Sequence, residues 1–82
     1  MGYFVYVLLC SDNSLYSGIT NDLEKRMRVH QDGKGSKYVR SRLPFIIVYS
    51  EEHPNKSSAG KRENEIKHWR REKKIKELCL KI

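Results

Sequence analysis

Among the side chains whose types can act on a phosphate or hold a divalent ion, five stand out by their positions: Tyr6, Tyr16, Arg26, His30 and Glu63. Arg26 lies in the stretch YSGITNDLEKRMRVH, Tyr16 to His30, whose second half has helical spacing. At about 100° per residue, Leu23, Met27 and Val29 bound an apolar arc. Arg26 and His30 fall inside it, and Glu24, Lys25, Arg28 and Gln31 fall outside. A long cation aimed at a packed face costs stability unless it is paired or borders a wet cleft. Either Arg26 runs its stem along the core edge or pairs with a buried carboxylate, or it lines an anion site.

Glu63 repeats the oddity. Downstream of Ser57 the spacing is again helical, and Ala59, Glu63, Ile66 and Arg70 share a face from which Lys67 and His68 turn away. A carboxylate between Ala59 and Ile66 either bridges to a cation, such as an arginine of a neighbouring helix, or binds a metal. A lone carboxylate cannot cage Mg²⁺, but it can hold the ion when water and a substrate phosphate supply the other ligands. Tyr6 and Tyr16 fall on the two arms of a hairpin as candidate cross-strand neighbours. Tyrosine is also a good strand former with a polar tip, so each alone reads first as structural. His30, one helical turn after Arg26, is by itself more often a satisfied structural histidine than a ligand. Gly33-Lys34-Gly35-Ser36-Lys37 sets free backbone N–H groups beside Lys34 and Lys37, in the manner of a phosphate cradle. It lacks the GxxxxGK[ST] spacing of a P-loop.

These residues need particular elements to position them. Tyr3 to Cys10 is apolar on both alternating sets, as expected of a central strand covered on both faces. Ser11 to Ser14 is a turn, and Leu15 to Ile19 returns as the second arm. A helix from about Asn21 to Gln31 follows, with Thr20 or Asn21 as cap and Glu24 close to a capping-box position. The two glycines of the GKGSK run end it. Lys37 to Arg42 forms a short helical turn, Phe45 to Tyr49 a third strand, and Glu51 to Asn55 a turn. Two helices complete the chain, one capped by Ser57 or Ser58 and running to about His68, the other from about Arg71 to Leu80. The order β-β-α-(α)-β-α-α defines an α+β fold: a small sheet, antiparallel or mixed on this pattern, with helices around it.

The 82 residues make a single domain. A domain of this size buries only ~60% of the surface its unfolded chain exposes, so modest stability is expected. Seventeen Lys and Arg against ten Asp and Glu give a net charge of +7, which favours a polyanionic partner, nucleic acid first. From Lys56 to Ile82 there are ten Lys or Arg against four Glu, a solvated surface or a backbone-holding one close to Glu63. Cys10 and Cys79 have no metal-ligand spacing, and reduced thiols are expected. No signal peptide opens the chain and no run approaches the ~20 apolar residues of a membrane span, so a soluble, cytoplasmic protein is expected.

Taken in order, these residues resemble the GIY-YIG nuclease domain. The family's Gly-Ile-Tyr corresponds to Phe4-Val5-Tyr6, keeping the tyrosine, and its Tyr-Ile-Gly to Tyr16-Ser17-Gly18, keeping Tyr and Gly. The helix arginine falls on Arg26, with His30 one turn later, and the metal-binding glutamate falls on Glu63 within Lys61-Arg62-Glu63-Asn64. The resemblance covers about residues 3–78. In its length, its GKGSK loop and its basic C-terminal helices the chain is most like the small stand-alone bacterial members whose activity is uncharacterised. It departs from others in having no histidine in the loop after the first helix and no clear match to their C-terminal asparagine, and no second domain to select DNA is expected.

The resemblance implies a three-stranded antiparallel sheet flanked by helices and a one-metal hydrolysis of phosphodiester bonds. Glu63 would bind one Mg²⁺ or Mn²⁺ ion, weakly without substrate. Tyr6, with Tyr16 in support, would deprotonate or orient the attacking water, and His30 would position water or tyrosine. Arg26 would neutralise charge on the phosphoryl oxygens. Gly18 would leave room for substrate, with Lys34, Lys37 and Arg62 contacting it. The expected partner is nucleic acid, DNA ahead of RNA, in damaged, branched or single-stranded form and with little sequence specificity, the protein acting as a monomer. A binding module on the same fold that does not cut, and a basic adaptor for an acidic protein, are the alternatives. Metal dependence and salt dependence separate them.

Overall fold

The computed structural model describes residues 2–82. Its elements are β1 (Tyr3–Cys10), β2 (Leu15–Thr20), α1 (Leu23–Gln31), α2 (Lys37–Arg40), β3 (Phe45–His53), α3 (Lys56–Lys67) and α4 (Arg71–Glu77). The strands form one antiparallel sheet in the order β2-β1-β3. This is the α+β architecture and element order expected from the sequence. β1 is central for the reason its composition gives: both of its faces are covered. Val5 and Val7 pack with Ala59 and Ile66 of α3 and with Leu78 and Leu80 beyond α4. On the opposite face Tyr6 and Leu8 pack with Val39 of α2 and with Leu23 and Met27 of α1. The sheet is thus sandwiched, with α3 and α4 on one side and α1 and α2 on the other.

Several element boundaries differ from the sequence reading, each for a local reason. The cap of α1 is Asp22, whose Oδ1 accepts from the Lys25 amide at 3.1 Å, and not Thr20 or Asn21. The Thr20 hydroxyl instead accepts from the Asp22 amide, closing the turn between β2 and α1. β3 does not end at Tyr49 but runs on to His53, through residues expected to turn. Alternation puts Tyr49, Glu51 and His53 on one face, and the Glu51 carboxylate accepts from the Tyr49 hydroxyl and from Arg62 and hydrogen-bonds His53. These partners offset the poor strand propensity of an acidic residue. α3 starts at Lys56 with Asn55 as its cap, taking the Ser58 amide at 2.8 Å, which displaces both serines expected there. α4 stops at Glu77, and Leu78 and Leu80 reach the core around Cys79, whose φ is +54°. No helix among the described residues is long and apolar enough to cross a membrane.

Candidate active site

The pairing of β1 with β2 sets Tyr6 opposite Gly18 and Leu8 opposite Tyr16. Tyr6 and Tyr16 are therefore diagonal neighbours, their ring centroids 6.4 Å apart, and not a directly opposed pair. What admits the Tyr6 ring is the missing side chain at Gly18. A Cβ there would lie 2.5 Å from the Tyr6 hydroxyl and 2.7 Å from its Cζ. Gly18, expected to leave room for substrate, leaves room for the phenol.

α1 brings His30 to the same place. The imidazole is 1% exposed, its Nε2 lies 2.8 Å from the Tyr6 hydroxyl, and its ring meets those of Tyr6, Tyr16 and Phe45 edge-on. Nδ1 has no hydrogen-bond partner. Gly35 covers it, since a Cβ at Gly35 would lie 2.8 Å from that atom. A buried N–H without an acceptor is rarer and costlier than a lone pair without a donor. Only one donor N–H or O–H of the pair can be satisfied by this bond, and the imidazole tautomer sets whether Nε2 or the Tyr6 oxygen donates. Burial, and then the charge of Arg26, hold the His30 pKa below its ordinary value, so the ring is neutral. Burial also pushes the Tyr6 phenol well above the usual tyrosine range, with Tyr16 adding to the effect, Arg26 opposing it and Glu63 adding a little more.

Arg26 itself is half-buried and forms no ion pair with any described residue. With Thr20, Asn21, Asp22, Lys25 and Val29 it lines a cleft of about 170 Å³. The bridge from Glu63 to an arginine of a neighbouring helix is not made. Glu63 pairs at 3.4 Å with Lys67 of its own helix, and the Lys67 side chain is 60% exposed. The Glu63 side chain is 21% exposed, so the pair joins a largely covered carboxylate to a solvent-facing ammonium. No cluster of three or more His, Cys, Asp or Glu occurs among the described residues. A single carboxylate such as Glu63 does not cage a divalent ion by itself, and an Mg²⁺ or Mn²⁺ ion there would need water and phosphate oxygens to complete its shell.

The remaining expected contacts divide. Lys34 and Lys37 border one open pocket of about 400 Å³ together with Gly33, Gly35, Ser36 and Arg40. Arg62, expected to touch substrate, is committed elsewhere: its Nε is 3.1 Å from Glu51, it bridges to Glu65, and its guanidinium lies 5.2 Å over Trp69. The turn expected over Glu51 to Asn55 hides this partner in the sequence, whereas β3 carries Glu51 to it. Sequence reasoning also passed over Tyr38, which stacks on Tyr16 with centroids 5.7 Å apart and rings inclined by 29°. Its signal was an aromatic residue placed among cations in the segment GKGSKYVRSR.

Residues 2–76 match the family model of the GIY-YIG catalytic domain. The chain is 46% identical over 74 residues to a UPF0213 protein of Staphylococcus haemolyticus, covering 90% of each. It is 49% identical over 72 residues to one of Bacillus velezensis, covering 88% of this chain and 73% of that one. Among solved structures, the solution NMR structure of a UPF0213 protein from Bacillus halodurans matches with a TM-score of 0.63 and 42% identity, over 96% of this chain and 84% of that one. A protein from E. faecalis, also solved by NMR, matches with a TM-score of 0.69 and 36% identity over the same shares.

Proposed function

The chain belongs to the GIY-YIG catalytic-domain family, and from that premise we propose that it is a metal-dependent endonuclease that hydrolyses DNA phosphodiester bonds with little sequence specificity. The observation that supports this reading is that Arg26 and Glu63, a cation and a carboxylate on two different helices, do not pair with each other among the described residues. Arg26 lines a cleft, and the ion pair that Glu63 makes among the described residues is with Lys67 of its own helix. Had the two neutralised each other, neither would be available to a phosphate.

In this reading the scissile phosphate enters beside Arg26, whose guanidinium offsets negative charge as it grows on the phosphoryl oxygens. Tyr6 rests as the neutral phenol and orients the attacking water through its hydroxyl, with Tyr16 in support. His30 is a positioning residue, fixing Tyr6 through Nε2. Glu63 would hold Mg²⁺ or Mn²⁺. The ion, when bound, supplies charge stabilisation to the scissile phosphate and the leaving oxygen. Lys34 and Lys37 hold the backbone alongside. The test is nicking of supercoiled DNA in a divalent-ion titration. Cleavage that is absent under chelation and restored by Mg²⁺ or Mn²⁺ is the expected result, and cleavage indifferent to chelation would contradict the proposal.

A further inference from the structure

The cleft at Arg26 and the open pocket of the glycine loop share a wall. Val29 lines the cleft and Gly35 lines the pocket. A Cβ at Gly35 would lie 3.3 Å from the Val29 Cγ1 and 2.8 Å from the His30 Nδ1. The missing side chain at Gly35 therefore lets the loop lie against α1, and the two openings follow one another along that helix. On the far side of the loop Arg40 packs over Gly33, where a Cβ would lie 3.2 Å from its Cγ, so α2 continues the same surface.

Five cations border this run. Lys25 and Arg26 line the cleft, and Lys34, Lys37 and Arg40 line the pocket. All but the half-buried Arg26 are exposed, and none forms an ion pair with any described residue. Their neighbours do pair: Arg28 with Glu24 and Arg42 with Asp12. Among the described residues lining the two openings, Asp22 is the one carboxylate, and its Oδ1 is engaged by the Lys25 amide in capping α1. Like charges gathered without interspersed acids repel one another and lower stability. A row of phosphates relieves that repulsion, and the counterions it releases favour binding.

We propose that the Arg26 cleft and the loop pocket form one continuous track for the sugar–phosphate backbone of a DNA strand, with Lys25 and Arg40 as phosphate contacts at its two ends. Successive phosphates run from the cleft, past Val29 and Gly35, to Lys34, Lys37 and Arg40. Contacts of this kind fix the register of a strand and carry no base sequence, so the track binds unrelated sequences alike. Placing the scissile phosphate at the Arg26 end rests on the endonuclease reading. The track itself does not.

The test measures binding without divalent ions, so it is independent of cleavage. Two DNA duplexes of unrelated sequence are titrated over a series of salt concentrations with wild type, Lys25→Gln, Arg40→Gln and Lys76→Gln, each first shown to be folded. Lys76 is exposed on α4, across the sheet from α1 and α2, so its variant loses the same charge away from the track. Lys25→Gln and Arg40→Gln are each expected to weaken binding of both duplexes alike and to lower the slope of log affinity against log salt by about one. Lys76→Gln is expected to keep the wild-type slope. Gly35→Ala keeps the net charge but forces loop and helix apart, and is expected to weaken binding as well. A loss of slope in Lys76→Gln as large as in Lys25→Gln and Arg40→Gln, wild-type affinity in a folded Gly35→Ala, or wild-type binding indifferent to salt overturns the proposal. Binding that depends on Lys25 and Arg40 without cleavage in Mg²⁺ or Mn²⁺ would sink the endonuclease reading alone. Cleavage with binding indifferent to those two residues would sink the track alone.

Discussion

The Tyr6 hydroxyl and the His30 Nε2 lie 2.8 Å apart in a covered pocket, the two side chains 2% and 1% exposed. Such a pair has to be neutral, and that makes stability depend on pH with a definite sign. The folded-state pKa of His30 lies below the ordinary 6.5, so in mild acid the unfolded chain binds the proton that the folded chain refuses. Stability is therefore full above about pH 6.5 and is lost as the pH falls from there through the folded-state value. Glu51 and Asp12, also held low, act in the same direction but below the ordinary carboxylate values of 4.5 and 3.8. Urea unfolding is expected to show a falling midpoint between about pH 6.5 and 5 in wild type, and a flatter one in His30→Gln. Equal slopes would contradict the buried neutral imidazole.

Gly18 is expected to act through Tyr6. A methyl group placed 2.5 Å from the hydroxyl has to push the phenol away, which breaks the bond to His30 and costs about 1–3 kcal/mol in overpacking. Tyr6→Phe removes the atom nearest that methyl. The double variant Gly18→Ala/Tyr6→Phe should therefore lose less stability than the sum of its parts in thermal unfolding. Strict additivity would show that the two positions do not compete for space.

Ser17 illustrates a different cost. It faces Val7 across β1 and β2, is 4% exposed, and its hydroxyl finds no hydrogen-bond partner. Ser17→Ala removes an unsatisfied polar group at little loss of volume and should raise stability by about 1 kcal/mol. In a domain of this size that corresponds to a rise of about 4–8 °C in Tm. A lower Tm would mean that the hydroxyl is satisfied.

Arg62 is expected to be structural. Removing Glu51 leaves Arg62, His53 and Tyr49 without their shared acceptor. Glu51→Ala should cost about 2 kcal/mol, the partial exposure of the group keeping the loss below that of a fully buried pair. Arg62→Met should likewise lower the urea midpoint while leaving metal-free DNA affinity unchanged. A selective loss of DNA affinity with normal stability would restore Arg62 to the substrate surface.

The periodicity of β1, apolar on both alternating sets, makes its central place in the sheet legible in the sequence, and of the ordered set Tyr6, Tyr16, Arg26, Glu63, Arg26 lines the cleft beside α1. Ionic partnerships were harder to read, because they depend on which residues meet across the sheet. Glu51 looked like a turn residue when its strand character comes from Tyr49, His53 and Arg62, the last of them eleven residues away. Gly18 announced a close approach correctly but not by what, since a glycine in a sequence does not say whether a ligand or a neighbouring ring fills the space. Tyr38 escaped notice because a lone aromatic on a one-turn helix has no periodicity to betray it. Only its stacking on Tyr16 and Arg42 marks it out.

The most direct measurement is nicking of supercoiled, single-stranded and branched DNA in Mg²⁺ or Mn²⁺ by wild type beside Glu63→Ala, Arg26→Ala and Tyr6→Phe, each first shown to be folded. Wild type is expected to cut, with Glu63→Ala and Arg26→Ala silent and Tyr6→Phe reduced by about 10²-fold or more, as for loss of a positioned acid–base group. Equal activity in all four proteins, or DNA binding without cleavage by any of them, would contradict a catalytic centre built on Tyr6, Arg26 and Glu63.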